Sequence, residues 1–389
     1  MVATGTLLTF VVAALASLFM AWAIGAGSSG STPFAAAVGA NAISVMRAGF
    51  IVGLLGFTGA VLQGANVTEA VGTELIGGVS LTATAAIVGL LTAAILVAIG
   101  VFTGYPIATA FTVTGAIVGV GLALGGDPAW AKYRQITTLW VLAPFVGGGI
   151  AYGTARLLRS PAVSERYAIS ILGGLVGALV ATIEFALLGP AGEAASISAA
   201  IGAALSVGAL PVAFACALVV TALLFRGLTT HPEATQRRFL LSLGGLVAFS
   251  AGGSQVGLAI GPLVPLLDEV AVPLPAVLAG GGFGLLLGSW TGAPRMIKAL
   301  AQDYSSLGPR RSIAALIPAF AIAQVAVAFG IPVSFNEIVV STIIGSGYAA
   351  GGGGVSRRKM VYTVLAWIGS LVLALVLSYG AFTAIEVLR

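Results

Sequence analysis

Gly104 to Gly121 reads GYPIATAFTVTGAIVGVG, and Gly330 to Gly347 reads GIPVSFNEIVVSTIIGSG. Gly104 aligns with Gly330, Pro106 with Pro332, Val113 with Val339, Gly119 with Gly345 and Gly121 with Gly347, all at a separation of 226. Trp140 and Trp367 lie 227 apart, as do the small-residue runs Gly25-Ala26-Gly27-Ser28-Ser29 and Gly252-Gly253-Ser254-Gln255-Val256. A constant offset over three separate segments marks two homologous halves. In both stretches Gly-x-Pro ends an apolar run, which stops one helix and opens another, because proline is tolerated in a helix's first turn but not in its interior.

The rest of the chain puts these stretches in a bilayer. Of 389 residues, 59% are apolar and 7% are charged, with a mean hydropathy of +1.10. Soluble domains carry about 25% charged residues. Apolar runs near the spanning length of about 20 residues follow one another to the C-terminus. Leu7 to Ile24 therefore reads as a first span rather than a cleaved signal. The runs lack the alternation of barrel strands, so helices must satisfy the backbone in lipid. The fold class expected is an all-α polytopic membrane protein with twelve hydrophobic segments: 5–25, 44–64, 80–101, 106–124, 137–157, 168–189, 197–225, 239–260, 270–291, 312–330, 334–350 and 361–384. Fifty-five glycines suit close helix approach in such a bundle. The one cysteine, Cys216, sits mid-span and excludes an internal disulfide.

Basic residues gather at Arg156–Arg159–Arg166, Arg226–Arg237–Arg238, Arg295–Lys298–Arg310–Arg311 and Arg357–Arg358–Lys359. Two segments separate each cluster from the next, so all four share the cytoplasmic side, and both termini lie outside. The net charge of +5 is thus a topology signal, not a nucleic-acid footprint. Lys132 and Arg134 break the rule. Segments 1 and 8, 4 and 11, and 5 and 12 correspond, each pair an odd number of crossings apart, so the halves are expected to be inverted. Residues 1–160 form the first repeat, 161–238 the connecting spans with a polar linker GLTTHPEATQRR, and 239–389 the second repeat. Inverted repeats with interrupted helices describe secondary transporters that bind substrate near mid-membrane.

At the two Gly-x-Pro stretches the chain resembles the inorganic phosphate transporter (PiT) family, whose doubled signature is G-x-P-V-S-T-T-H. GAVLQGANVTEAV at Gly59–Val71, AIGPL at Ala259–Leu263 and LWVLAPFVGGGIAY around Trp140 match further family segments, so the likeness covers essentially the whole chain. The departures are specific. The family's G-A-N-D motif falls on Gly25-Ala26-Gly27-Ser28 and again before AIGPL, so its Asn and Asp become Gly27 and Ser28, then Ser254 and Gln255. Of S-T-T-H, Thr109 survives in the first copy and Ser334 in the second; Ala108, Ala110 and Phe111, and Phe335, Asn336 and Glu337, stand elsewhere. The resemblance implies a phosphate permease, while the lost carboxylates imply weakened or absent sodium coupling.

The residues themselves support anion chemistry. A helix opening at each break leaves backbone N–H groups free at the positive end of a dipole, which binds an oxyanion without formal charge. Thr109, Thr112, Ser334 and Asn336 add donors beside the breaks, at Gly104 and Pro106 and at Gly330 and Pro332. Ser28, Ser29, Ser31, Ser254 and Gln255 add more from the second pair of motifs, expected to be broken too. The alternative for any one of them is a small residue at a helix crossing. Glu337 is a carboxylate inside a span, costing at least about 2.5 kcal/mol on insertion scales, and marks a candidate for the coupling ion. Glu184 reads as a segment end, Arg47 as an interfacial snorkel, and Asp127, Asp268 and Glu269 as loop residues. His231, in the linker, is given no role.

No metal-ligand spacing and no G-x-x-x-x-G-K-[ST] loop is present, and the glycine runs at 351–355 and 279–284 lack a nucleotide site's strand-then-helix setting. No enzyme activity and no resident cofactor are expected; a co-transported Na+ or H+ is left open. The partners expected are phosphate or a similar oxyanion and the lipid of a cell membrane, not nucleic acid, and small-residue faces are compatible with a homodimer. The alternatives are a permease for sulfate or another oxyanion, a paralogue that has lost transport and serves as sensor or partner subunit, and a channel.

Overall fold

The computed structural model describes residues 4–186, 188, 193–304, 307–349 and 356–388. The described helices are α1 (Thr4–Ile24), α2 (Ala35–Gly39), α3 (Val45–Gln63), α4 (Ala65–Thr73), α5 (Ala83–Thr103), α6 (Thr109–Ala123), α7 (Trp130–Arg159), α8 (Glu165–Thr182) and α9 (Ile197–Ala204). They continue as α10 (Ala209–Thr230), α11 (Pro232–Ile260), α12 (Leu267–Val270), α13 (Leu274–Thr291), α14 (Ala293–Asp303), α15 (Pro309–Ala328), α16 (Phe335–Tyr348) and α17 (Arg357–Leu388). Ten described helices are long and apolar enough to cross a membrane. Large apolar side chains on the outer helices face outward, such as Phe145 and Leu210, as a lipid-immersed surface requires. The protein is multi-pass.

Each of the twelve expected segments overlies a helix, with informative differences. Segment 197–225 is two helices, α9 and α10, because the chain turns at Leu205–Gly208, where Ser206 takes a positive φ of 55°. Segments 106–124 and 334–350 become α6 and α16, of only 15 and 14 residues. The polar piece expected as a linker is helical on both sides of His231: α10 runs to Thr230 and α11 starts at Pro232, whose ring fits a first turn. Glu184 lies beyond α8 in a two-residue strand paired with Ala195–Ser196, and Asp268 and Glu269 are exposed on α12 rather than in a loop. The run at 279–284 lies inside α13, and the run at 351–355 lies outside the described residues.

Two ends of the bundle are defined by their ties. At one, Lys132 pairs with Glu74 at 2.6 Å, and Ile76–Gly77 pairs antiparallel with Asp127–Pro128. At the other, Arg237 donates to the carbonyl of Ala42, and Arg310 grips Glu165 with two hydrogen bonds of 2.7 and 2.6 Å. Close packing between them uses glycine as backbone contact: a Cβ at Gly252 would strike the backbone of Gly56, and one at Gly345 that of Gly148. The first contact locks α11 to α3, and the second locks α16 to α7. The short helices pack across the duplication, α6 along α17 and α16 along α7.

Candidate functional site

Why α6 and α16 are short explains the site. Helix α5, 21 residues, is about 31 Å long at 1.5 Å per residue and crosses the bundle completely. It ends at Gly104, whose φ of +77° reverses the chain at no Cβ penalty. Residues 105–108 then run without helix, carrying the chain back toward the centre before α6 begins at Thr109. Gly330, at φ +58°, does the same after α15. The breaks enter from opposite ends: Arg295 donates to Phe102 beside Gly104, while Lys132 donates to the carbonyl of Gly330. Two helix N-termini therefore open toward the middle of the bundle. The first helical bonds of α6 and α16 are Thr112 N to Ala108 O and Ile338 N to Ser334 O, so the N–H groups of 109–111 and 335–337 precede them. Neither start has a side-chain cap.

The small-residue motifs meet these starts. Gly25–Ser29 forms a π-turn ending α1, a distortion common at functional sites. The second copy, with Ser254 and Gln255, is not broken as expected; α11 continues through it and yields only at Gly261-Pro262, where a 3-10 stretch begins. Thr109 Oγ1 donates to Gln255 Oε1 at 2.9 Å and lies 3.4 Å from Ser28 Oγ, from which it can accept. Gln255 Nε2 donates to the carbonyl of Val333 at 2.6 Å. Asn336 Nδ2 donates to the carbonyls of Ile107 and Gly27, at 2.7 and 2.9 Å. One net of bonds thus joins both breaks to both motifs.

Ser28, Ser29, Ser31, Thr109, Thr112, Ser254, Gln255, Ser334, Asn336 and Glu337 are all buried. Ser31 and Thr112 turn inward on their own chain, to the carbonyls of Ser28 and Ala108, so they brace the local backbone and leave the net. Among the described residues, the buried side-chain atoms without a hydrogen-bond partner are Thr114 Oγ1, Ser254 Oγ, Ser334 Oγ, Asn336 Oδ1 and Glu337 Oε2. Native proteins leave few such groups. Four of the five fall on residues singled out by the duplicated motifs. Since both bonds of Asn336 end on carbonyls, its amide nitrogen must face them, and Oδ1 is the atom left over.

Two elements of the site were landmarks in the sequence without a role. Trp140 Nε1 donates to Pro332 O and Trp367 Nε1 to Pro106 O, both at 2.8 Å. Each tryptophan holds the break of the other half, and their offset of 227 beside the prolines' 226 was the available signal. A second buried cluster joins Gln63, Gln324 and Ser250: Gln324 Nε2 donates to Ser250 Oγ at 2.6 Å and to Gln63 Oε1 at 3.3 Å, while Gln63 Nε2 donates to the carbonyl of Glu184 at 3.0 Å. It gave no motif signal because neither Gln324 nor Ser250 has a polar counterpart at the repeat offset.

The match to known proteins agrees with this geometry. The Phosphate transporter family (PHO4) matches residues 24–378. The chain belongs to that family. A protein of Thermococcus kodakarensis named as a phosphate permease is 27% identical, over 93% of this chain and 94% of its own length. The inorganic phosphate transporter 2-1 of Arabidopsis thaliana chloroplasts is 25% identical, over 91% of this chain and 68% of its own. A solved structure titled the sodium-dependent phosphate transporter superposes with a TM-score of 0.82 at 22% identity, covering 98% of this chain and all of the other, and so shares the fold. The family is one of transporters, not enzymes. Among the described residues no three His, Cys, Asp or Glu side chains stand together as a metal site.

Proposed function

We propose that this protein is a permease that moves inorganic phosphate by alternating access between two inverted halves, 1–160 and 239–389, with 161–238 connecting them. The observation that carries the reading is the buried net where both breaks meet, with orphaned polar atoms at Ser254, Ser334 and Asn336 and two uncapped helix starts. Hydroxyl and N–H donors at the positive ends of α6 and α16 suit a tetrahedral oxyanion. The basic clusters support a reading in which both termini lie on the outer face.

Phosphate is preferred to sulfate on the same atoms. An anion without protons can only accept, and Asn336 Oδ1 can only accept as well. At neutral pH phosphate keeps a P–OH to donate, and sulfate does not; a site with a free buried acceptor rewards the first and penalises the second. The test is uptake of labelled phosphate into proteoliposomes against excess competitor. Arsenate, which also keeps a proton, is expected to compete and sulfate to fail; equal competition by sulfate refutes the assignment.

Coupling follows from the motif residues. Gly27 and Ser28, with Ser254 and Gln255, offer no carboxylate to hold sodium as a hard oxygen ligand. Glu337 is the one carboxylate at the breaks and is the candidate proton carrier. Uptake is expected to respond to an imposed proton gradient and not to require sodium, and strict sodium dependence refutes this.

A further inference from the structure

Glu337, next in the chain to Asn336 of the phosphate net, also lines a cleft between α7 and α17, floored by α16, of about 890 Å³. Its side chain is 2% exposed, and Oε2 has no partner. Among the described residues, no lysine or arginine lines the cleft. The walls are apolar and aromatic: Trp140, Trp367 and Phe111 line the same cleft as Glu337, with Phe111 stacked on Trp140 at 3.8 Å between ring centres. The mouth is formed by Phe145 and Ile368, both exposed on the lipid-facing flank of the bundle.

This lining is wrong for a metal ion. Calcium or a similar hard cation needs about six or more oxygens, whereas the lining offers one carboxylate and scattered hydroxyls, of which Thr363 bonds Tyr304 at 2.8 Å and Tyr152 accepts from Arg156 at 3.1 Å. It is right for an organic cation, whose apolar body fills the slot while aromatic faces and one carboxylate take the charge. We infer that the cleft between α7 and α17 binds a lipophilic organic cation that arrives through the bilayer, reaches Glu337 and inhibits uptake. Inhibition follows from the neighbours. The occupant sits against Trp140 and Trp367, whose indoles hold the two break carbonyls, so filling the cleft fixes the spacing of α7, α16 and α17.

The test is equilibrium binding to purified protein in nanodiscs of zwitterionic lipid, with tetraphenylphosphonium and tetraphenylborate, which share a shape and differ in sign. Binding is read directly, so the result does not depend on which anion is transported or on what couples it. The phosphonium is expected to bind saturably and the borate at least about tenfold more weakly, the scale of a desolvated charge pair. Glu337→Gln should remove that difference. Ile368→Trp, which narrows the mouth and leaves the inner cleft beside Trp140 and Trp367 open, should weaken the phosphonium as much while uptake persists, and should relieve its inhibition. Equal binding of both ions would make the cleft a slot for acyl chains and overturn the inference. Phosphonium binding unchanged in both variants, or cross-linking of two copies through Ile368→Cys, would overturn it as well.

Discussion

The two breaks share a backbone plan and differ in chemistry. In both, a glycine with positive φ is followed by proline, a tryptophan from the other half holds the proline carbonyl, and a side-chain amide holds the carbonyl after it: Asn336 on Ile107 in the first, Gln255 on Val333 in the second. Yet Gly330–Ser334 is entirely buried and leads into Ser334, Asn336 and Glu337, while Tyr105 of the first break is exposed and its helix opens on Thr109, Ala110 and Phe111. The two breaks share the backbone that aims two helix starts at one point. The polar side chains are concentrated at the second. Substitutions should therefore be unequal across the duplication where they touch side-chain donors, and equal where they touch the scaffold.

The largest inequality is expected at Asn336. Asn336→Leu strips the carbonyls of Ile107 and Gly27 of their donor and removes the acceptor Oδ1, so uptake should fall at least about a hundredfold; each buried group left unpaired costs about 1–3 kcal/mol. The equivalent position of the first half is Ala110, and Ala110→Ser should change uptake less than about fivefold. Similar losses at both positions would mean that the polar shift has no functional weight. Gln255→Leu comes next. It breaks the link from Thr109 to Val333, and uptake is expected to drop about thirtyfold, the effect of about 2 kcal/mol.

The tryptophans test the shared scaffold. Trp140→Phe and Trp367→Phe keep an aromatic ring and delete one N–H, leaving a buried proline carbonyl unpaired at a cost of about 1–2 kcal/mol each. Both should slow uptake by a similar factor, about tenfold, with little change in the phosphate concentration giving half-maximal rate. A loss in one variant alone would show that the breaks do not work as a pair.

What was legible in sequence follows the same division. The break positions were readable because glycine at positive φ and proline in a first turn are backbone demands, recorded at a fixed offset in both halves. The net was readable in part: Thr109, Gln255 and Asn336 sit on the motifs, but nothing in Ser31 or Thr112 distinguishes a hydroxyl that bonds its own helix from one that faces a partner. The regularity of α11 through Ser254 was hidden because the family motif marks a position and not a backbone state. The Gln63–Gln324 pair was invisible, since contact between α3 and α15 is a tertiary fact with no repeat to announce it.

Lys132 gives the smallest effect and the finest comparison. It is a basic residue where the charge rule expects none, and its position explains why. Its side chain is 11% exposed, paired with Glu74 at 2.6 Å, and donates to the carbonyl of Gly330 at 3.3 Å, where α15 has ended and its dipole is negative. Its counterpart at the repeat offset, Lys359, instead lies 5.4 Å from the centre of the Tyr304 ring, and the end of α5 is served by Arg295. Lys132 is thus local to the second break. Glu74 is half exposed, so the ion pair is screened and worth less than its distance suggests. Lys132→Met should cost about 1 kcal/mol, mostly through the Gly330 carbonyl, and slow uptake about fivefold. Glu74→Gln, which leaves that bond in place, should cost less than half as much, and raising the salt concentration should not reproduce the lysine variant. If the two variants behave alike, the lysine serves the surface pair and not the break.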